Sequence, residues 1–486
     1  MLFLFLNLPA KADDGGSLPA IEAGFNLTTL NEFSIRSFEN PTGEKPQSKV
    51  WFYDNKWWAV LPNSSGTHVW RLDGATWSSI LQIAGSNNYR ADCKVAGNVV
   101  HILLVRSGNS TAQLVSVEYV PASQTYQLWS LRPATVDISV SSSIETATID
   151  IDSQGRMWLG SDASTTIEVR YSDPPYSDWF GPLTLATNLS NRVDRDDICV
   201  ITAFDNKIGI LWSDQDAEEF GFRYHVDGAA PATWSAEENP PNPFGNAGNG
   251  FADDHLNLAT ASDGSIYAAV KTSFSTSGFP VIALLVRQPS GTWSSHAVDY
   301  GDATRPIVVL NEADDMITVA YSKDIAGDHY RIVCKQSPAS GIAFGCQMDL
   351  LSGDFNDVTS AKQSFTGQIV FLASDEGRDV AGSVLASVPP LPSFADNGSG
   401  RALDFDGSND HICGNNLALN ITGQITLEAW ISPASAGNRY ILRKGRPGVT
   451  SGYEIGLNSS SKVYARLYQA GSGTAYTVTS VTNYPT

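Results

Sequence analysis

An all-β fold is what this sequence predicts, and three observations predict it. Charged residues are only 17% of the 486 residues while Gly contributes 41, the composition of a turn-rich chain. Apolar runs are short, bounded by Gly, Asp and Asn, and carry no convincing helical period. One pattern also recurs seven times: a polar or acidic residue, an alternating apolar run, an Asp/Asn/Gly turn and a second apolar run.

The seven turns lie within residues 53–58, 95–101, 152–158, 204–208, 262–267, 312–317 and 364–369. Asp54, Gly97, Gly155, Asn206, Gly264, Asp315 and Gly367 mark them, 43 to 58 residues apart. Such a period suits a four-stranded propeller blade, about 40–50 residues plus loop insertions. The expectation is therefore a seven-bladed β-propeller over residues 22–387. Trp77, Trp129, Trp179, Trp234 and Trp293 close five copies, and their expected place is in packing between blades rather than as sugar platforms. The last copy, about residues 355–387, supplies only three clear runs. Because radial closure joins the two chain ends, residues 25–38 are the expected source of its missing outer strand.

Residues 1–12 join a short apolar run to Ala10-Lys11-Ala12, a small-x-small cleavage pattern, with Asp13 and Asp14 following. They read as a signal peptide, a buried first strand being the alternative. No other stretch reaches the roughly 18 apolar residues of a spanning helix. The expectation is an extracellular protein, secreted or at the cell surface, with no transmembrane segment. Cys334 and Cys346 flank a turn-like segment, a spacing that suits a disulfide across a hairpin. Cys93, Cys199 and Cys413 read as buried free thiols.

With 31 Lys+Arg against 51 Asp+Glu the formal net charge is −20. Nonspecific binding to nucleic acid or an anionic membrane is disfavoured, because association with phosphate needs Lys and Arg to neutralise it. Neutral or cationic ligands remain, as do anionic ones held by local Arg or bound metal. The copies begin at related polar positions: Arg90 and Asp92; Glu145; Asp196 and Asp197; Asp253, Asp254 and His255; Arg305; Asn356 and Asp357. Residues just before the innermost strands of a propeller gather around one mouth of its channel. They either pair off to satisfy one another where the strands enter, or form a site that binds Ca²⁺, orients sugar hydroxyls or does acid/base work. For an enzyme, His255 with Arg305 or Arg90 suits a lyase that neutralises a uronate, and Asp197 with Asp254 suits a hydrolase. No Gly-rich phosphate loop, HExxH or Gly-x-Ser-x-Gly is present.

Asp152-Ser-Gln-Gly-Arg-Met-Trp158 resembles the Asp-box turn of sialidase-type and sensor-type propellers, which implies fold and not chemistry. A sialidase also carries an N-terminal Arg-Ile-Pro, whereas Arg36 stands in Ser-Ile-Arg-Ser. Residues 45–58, with Trp70-Arg-Leu-Asp73 and Tyr89-Arg-Ala-Asp92, resemble the start of uncharacterised secreted bacterial propeller proteins, a likeness covering most of residues 40–390. After a Pro/Gly/Ser linker at 388–400, the texture changes. Arg401-Ala-Leu-Asp-Phe-Asp-Gly407, Ile425-Thr-Leu-Glu-Ala-Trp-Ile431, Ile441-Leu-Arg-Lys-Gly445 and Gly452-Tyr-Glu-Ile-Gly456 resemble the first half of a laminin-G-like, concanavalin A-like jelly roll. Residues 401–486 are thus expected to form a partial jelly-roll sandwich, and the resemblance implies carbohydrate or protein recognition, sometimes with Ca²⁺. The combined expectation is a carbohydrate-binding or adhesion protein whose partner is an extracellular glycan or a cell-surface protein. The alternative is a polysaccharide lyase or glycoside hydrolase with its site at the channel mouth; a purely structural scaffold is the third reading.

Overall fold

A computed structural model of the chain describes residues 25–34, 40–43, 45–187, 193–194, 196–324, 329–345, 347–362, 364–375, 379–387, 438–444, 452–468 and 474–483. Residues 1–12, expected as a signal peptide, residues 388–400, expected as a linker, Cys346, Cys413 and the motifs at 401–431 lie outside those residues. One compact unit falls within Glu22–Cys413 and a smaller one within Gly414–Thr486. Apart from one 3-10 turn, Glu312–Asp314, every regular element described is a strand, so the all-β prediction holds.

The large unit opens with β1 (Phe25–Thr29) and β2 (Phe33–Ser34). Seven antiparallel sheets among the described residues then follow in chain order. Sheet I holds β3 (Val50–Tyr53), β4 (Lys56–Asn63), β5 (Gly66–Asp73) and β6 (Thr76–Ala84). Sheet II holds β7 (Arg90–Ala96), β8 (Val99–Val105), β9 (Thr111–Val120) and β10 (Thr125–Leu128), with β11 (Val136–Ser139) also on β9. Sheet III holds β12 (Ala147–Ile151), β13 (Met157–Asp162), β14 (Thr166–Ser172) and β15 (Phe180–Thr187). Sheet IV is β16 (Cys199–Phe204), β17 (Lys207–Asp214) and β18 (Glu219–Val226), extended by a bridge from Phe222 to Glu238. Sheet V is β19 (Leu256–Thr260), β20 (Ile266–Lys271), β21 (Ile282–Arg287) and β22 (Trp293–Asp299). Sheet VI is β23 (Ala303–Asn311), β24 (Met316–Asp324), β25 (Tyr330–Pro338) and β26 (Met348–Leu351). Sheet VII is β27 (Asn356–Thr359), β28 (Gln368–Ser374) and β29 (Asp379–Ser387), completed by β1, which sets Phe25 opposite Ser387 and Thr29 opposite Ser383.

The repeat seen in the sequence is a repeat of backbone conformation. All seven marker residues have left-handed φ, from 47° at Asp54 to 87° at Gly264. Only Gly, and next Asn and Asp, adopt that region at little cost, which is why those residue types recur at the tight first turns. Each apolar cluster spans neighbouring sheets: Trp158 and Trp212 join III to IV, and Phe222 and Leu285 join IV to V. Trp77 is buried in such a cluster, and Trp129, Trp179, Trp234 and Trp293 pack against others, in keeping with the packing role expected of them.

The innermost strands β3, β7, β12, β16, β19, β23 and β27 each pack on the next, and a parallel bridge from Val50 to Ala361 joins the last sheet to the first. A strand edge turned to the middle of such a ring has N–H groups that need acceptors. Side chains from the preceding sheet supply them. Asp92 Oδ2 accepts from Ile149 N (2.8 Å), Thr148 Oγ1 from Ile201 N (3.0 Å), Asp150 Oδ2 from Ala203 N (2.9 Å), Asn257 Oδ1 from Val308 N (3.1 Å), and Thr359 Oγ1 from Lys49 N (3.3 Å).

Residues 45–49 run through the space the strands enclose. Gln47 Nε2 donates to Ala147 O (3.0 Å), Ser48 N to Asp92 Oδ1 (2.9 Å), Ser48 Oγ to Ser360 O, and Asn257 Nδ2 to Pro46 O (3.4 Å), while Val60 N donates to Lys49 O (2.9 Å). This short segment therefore touches sheets I, II, III, V and VII.

Cys334 is a free, buried thiol, and Cys346, its expected partner, lies outside the described residues. Pairing of β25 with β26 places Met348 opposite Cys334, and the sulfur packs in the core with Ile332 and Leu350, where burial pushes its pKa up. Cys93 and Cys199 are buried free thiols, as expected.

In the smaller unit, β30 (Arg439–Lys444), β31 (Tyr453–Leu457), β32 (Lys462–Tyr468) and β33 (Ala475–Asn483) form one antiparallel sheet. Two of the jelly-roll motifs become β30 and β31. Among the described residues, no helix is long and apolar enough to cross a membrane.

Candidate ligand cleft

In an antiparallel sheet the second strand ends where the first begins. The polar residues that open β19 and β23 therefore share one rim with the residues that end β20 and β24. Between sheets V and VI this rim encloses a cavity of about 450 Å³, lined among others by Asp253, Lys271, Ser273, Phe274, Asp302, Arg305, Asp324 and Tyr330.

Asp253 is 7% exposed. Its Oδ2 accepts from Lys271 Nζ (2.6 Å) and Ser273 Oγ (3.2 Å), and its Oδ1 lies 2.7 Å from His255 Nδ1. The same Nδ1 is 2.6 Å from Asp254 Oδ1, whereas His255 Nε2 is buried without a hydrogen-bond partner. Lys45 Nζ pairs with Asp254 and, at 2.7 Å, with Glu145 Oε1. Burial alone would raise the Asp254 carboxyl; the hydrogen bond and charge of His255 and the charge of Lys45 outweigh it and hold this carboxyl well below the usual range. Burial would likewise lower the Lys45 ammonium, and its two carboxylate partners raise it instead. Arg305 Nε stands 2.8 Å from Asp357 Oδ1. Both residues have left-handed φ, 52° and 55°, at breaks in the pairing of β23 and β27.

The ring expected from the sequence thus separates into four groups. Asp253 and Arg305 line the cleft. Oxygens of Glu145, Asp196 and Asp254 lie within 4.8 Å of one another, but two of these carboxylates hold Lys45, which supplies the positive charge expected of Ca²⁺. With Lys271 on Asp253 as well, these residues do not fit a Ca²⁺ site. Asp92 is fully buried and bonded to Ser48 N, Ile149 N and Lys362 Nζ (2.5 Å), a structural tie. Asp197, the expected hydrolase partner of Asp254, is fully buried too and accepts from Asp194 N (2.9 Å) and Gln215 N (3.1 Å). Arg90 and Asp357 flank Gly43, where a Cβ would stand 3.4 Å from Arg90 Nε and 3.6 Å from Asp357 Cγ.

His255 is not part of the cleft lining. A general base must reach the proton it removes, so the sequence-derived lyase pair of His255 and Arg305 does not share an open surface in this conformation. Lys271, Asp302, Asp324 and Tyr330 escaped the sequence reading. For Lys271 and Asp324 the signal was the antiparallel rule itself, which brings the end of each second run to the rim where the first begins.

Three buried carboxyls near the same rim titrate upward. Burial raises Asp162, which ends β13, to about 7; Asp197 to about 6; and Asp214, which ends β17, to about 7. Between the ordinary carboxyl range and these raised values the folded chain binds protons that the unfolded chain releases. Their contribution to stability is present below about pH 4 and lost as pH rises through 6 to 7. We expect the melting temperature to increase when pH is lowered from about 8 to about 5, and Asp162→Asn to flatten that slope. A melting temperature that falls over the same interval would refute the assignment.

No family model matches the chain, and no curated protein matches it. Among solved structures it is similar to the phage phi92 endosialidase, with 11% identity, 95% of this chain and 88% of that one covered, and a TM-score of 0.42. It is similar to the polysaccharide lyase Uly1, with 8% identity, 76% and 100% covered, and a TM-score of 0.44. It is similar also to a Penicillium chrysogenum α-L-arabinanase complexed with arabinobiose, with 11% identity, 65% and 100% covered, and a TM-score of 0.41. At these scores the likeness carries no functional weight.

Proposed function

We propose that the protein is a secreted or cell-surface carbohydrate-binding protein, in which the seven sheets form a seven-bladed propeller over residues 22–387 and the glycan lies in the cleft between sheets V and VI. Residues 1–12 direct export, 388–400 link, and 401–486 contribute a partial lectin-like sandwich. The observation that carries the reading is the cleft itself. Its donors and acceptors face one concave space, while Lys271 and Arg305 are tied to Asp253 and Asp357 at 2.6 and 2.8 Å. Fixed, paired groups orient hydroxyls well and transfer protons poorly.

The competing reading, a polysaccharide lyase or glycoside hydrolase, is favoured by one feature. Carboxylates fix the Nδ1 side of His255 and leave Nε2 unpartnered, the arrangement of an oriented base. A panel of polysaccharides tested for binding and for product release separates the two. Binding without release, weakened about tenfold or more by Lys271→Met, supports the recognition reading. Release of unsaturated or reducing-end products that is lost in His255→Gln overturns it.

A further inference from the structure

We propose that the cleft selects glycans carrying free amino groups, such as oligomers of glucosamine, over glycans carrying uronates. This rests on the carbohydrate-binding reading and names its ligand class. Both cations of the lining already have anionic partners, Lys271 in Asp253 and Arg305 in Asp357. The neighbouring Lys323 is held by Asp299 at 3.2 Å. On the sheet VI side, the carboxylates of Asp302 and Asp324 have no hydrogen bond or ion pair among the described residues. They spring from adjacent backbone positions, since Asp324 N donates to Asp302 O at 3.1 Å. The charge left uncompensated in this cavity is therefore negative.

Two neighbouring carboxylates without a counter-charge repel one another, and an ammonium placed between them relieves that repulsion. A uronate has the opposite fate: to reach Lys271 or Arg305 it must displace Asp253 or Asp357 while facing Asp302 and Asp324. The about 450 Å³ of space falls in the range of small-ligand sites, about 300–1,000 Å³. The half-buried Tyr330 adds ring surface against which a sugar face can lie. The net charge of −20 favours the approach of a polycation.

Titration calorimetry on the full chain with three oligosaccharides of equal length tests this: glucosamine, N-acetylglucosamine and galacturonate, at mildly acidic pH. The glucosamine oligomer is expected to bind at least about tenfold tighter than the acetylated one, and to lose that advantage as salt rises. Asp302→Asn with Asp324→Asn should abolish the preference, bringing the glucosamine oligomer to within about twofold of the acetylated one, while leaving the melting temperature unchanged. Equal affinity for the acetylated and free forms, tightest binding of the uronate, or a preference that survives in the double variant each overturns the proposal and leaves carbohydrate binding standing. Failure of all three oligomers and of the wider polysaccharide panel overturns the underlying reading.

Discussion

Replacing Asp92 with alanine is expected to lower the stability of the large unit by about 3–5 kcal/mol, the usual cost of stranding the partner of a buried ion pair. The carboxylate is fully buried and joins three sheets that lie far apart in sequence. It accepts from Ser48 N in the segment leading to sheet I and from Ile149 N in sheet III, and it neutralises Lys362 beside sheet VII. Alanine leaves two buried N–H groups without an acceptor and strips Lys362 of its carboxylate, leaving its Nζ only Ile149 O at 3.2 Å. Asp92→Asn keeps an oxygen for one N–H but not the charge for Lys362, so its loss should be intermediate. Urea unfolding followed by tryptophan fluorescence measures both. A loss under about 1 kcal/mol for Asp92→Ala would show that water or a neighbour takes over, and that the ring does not depend on this tie.

Leu30→Ala is expected to cost about 2–5 kcal/mol, the range for truncating a buried leucine. Leu30 is 3% exposed and follows β1, which pairs with β29. Its backbone N–H donates to Gly382 O at 2.9 Å, and its Cδ1 lies 3.0 Å from where a Gly382 Cβ would stand, so side chain and glycine fill one another's space. The cluster it belongs to unites sheets I, VI and VII. Weakening it should loosen the junction of the chain ends before the rest of the unit. Hydrogen exchange in β28 and β29 should then accelerate more than in β13 or β20. Uniform acceleration, or none, would contradict a local closure role for this residue.

Much of the fold was legible in the sequence because its signals are local. A left-handed turn residue between two short apolar runs is a demand on adjacent residues, and Asp54 through Gly367 each meet it with Gly, Asn or Asp. The closure of sheet VII by residues 25–29 was legible as well, since a three-stranded last copy leaves an edge to be covered. The site was legible only in part. Asp253 and Arg305 were found because they open innermost strands. Asp324 was not, because it ends a second run and reaches the rim only through antiparallel pairing, and Asp302 becomes part of the cleft only through its pairing with Asp324.

The sequence by itself determined the all-β class, the seven repeated turns and the packing role of the tryptophans that close the copies, because backbone conformation and apolar alternation depend on residues close together in the chain. Only the tertiary structure decided what the polar residues do. Asp92, Asp197, Asp253 and Asp254 look alike along the chain, yet one ties sheets together, one caps a turn, one lines a cleft and one holds a lysine. Lys45 and Asp254 are 209 residues apart, and the register puts Met348 opposite Cys334. Charge pairing and thiol pairing depend on distance in space, which is set only when the sheets have closed on one another.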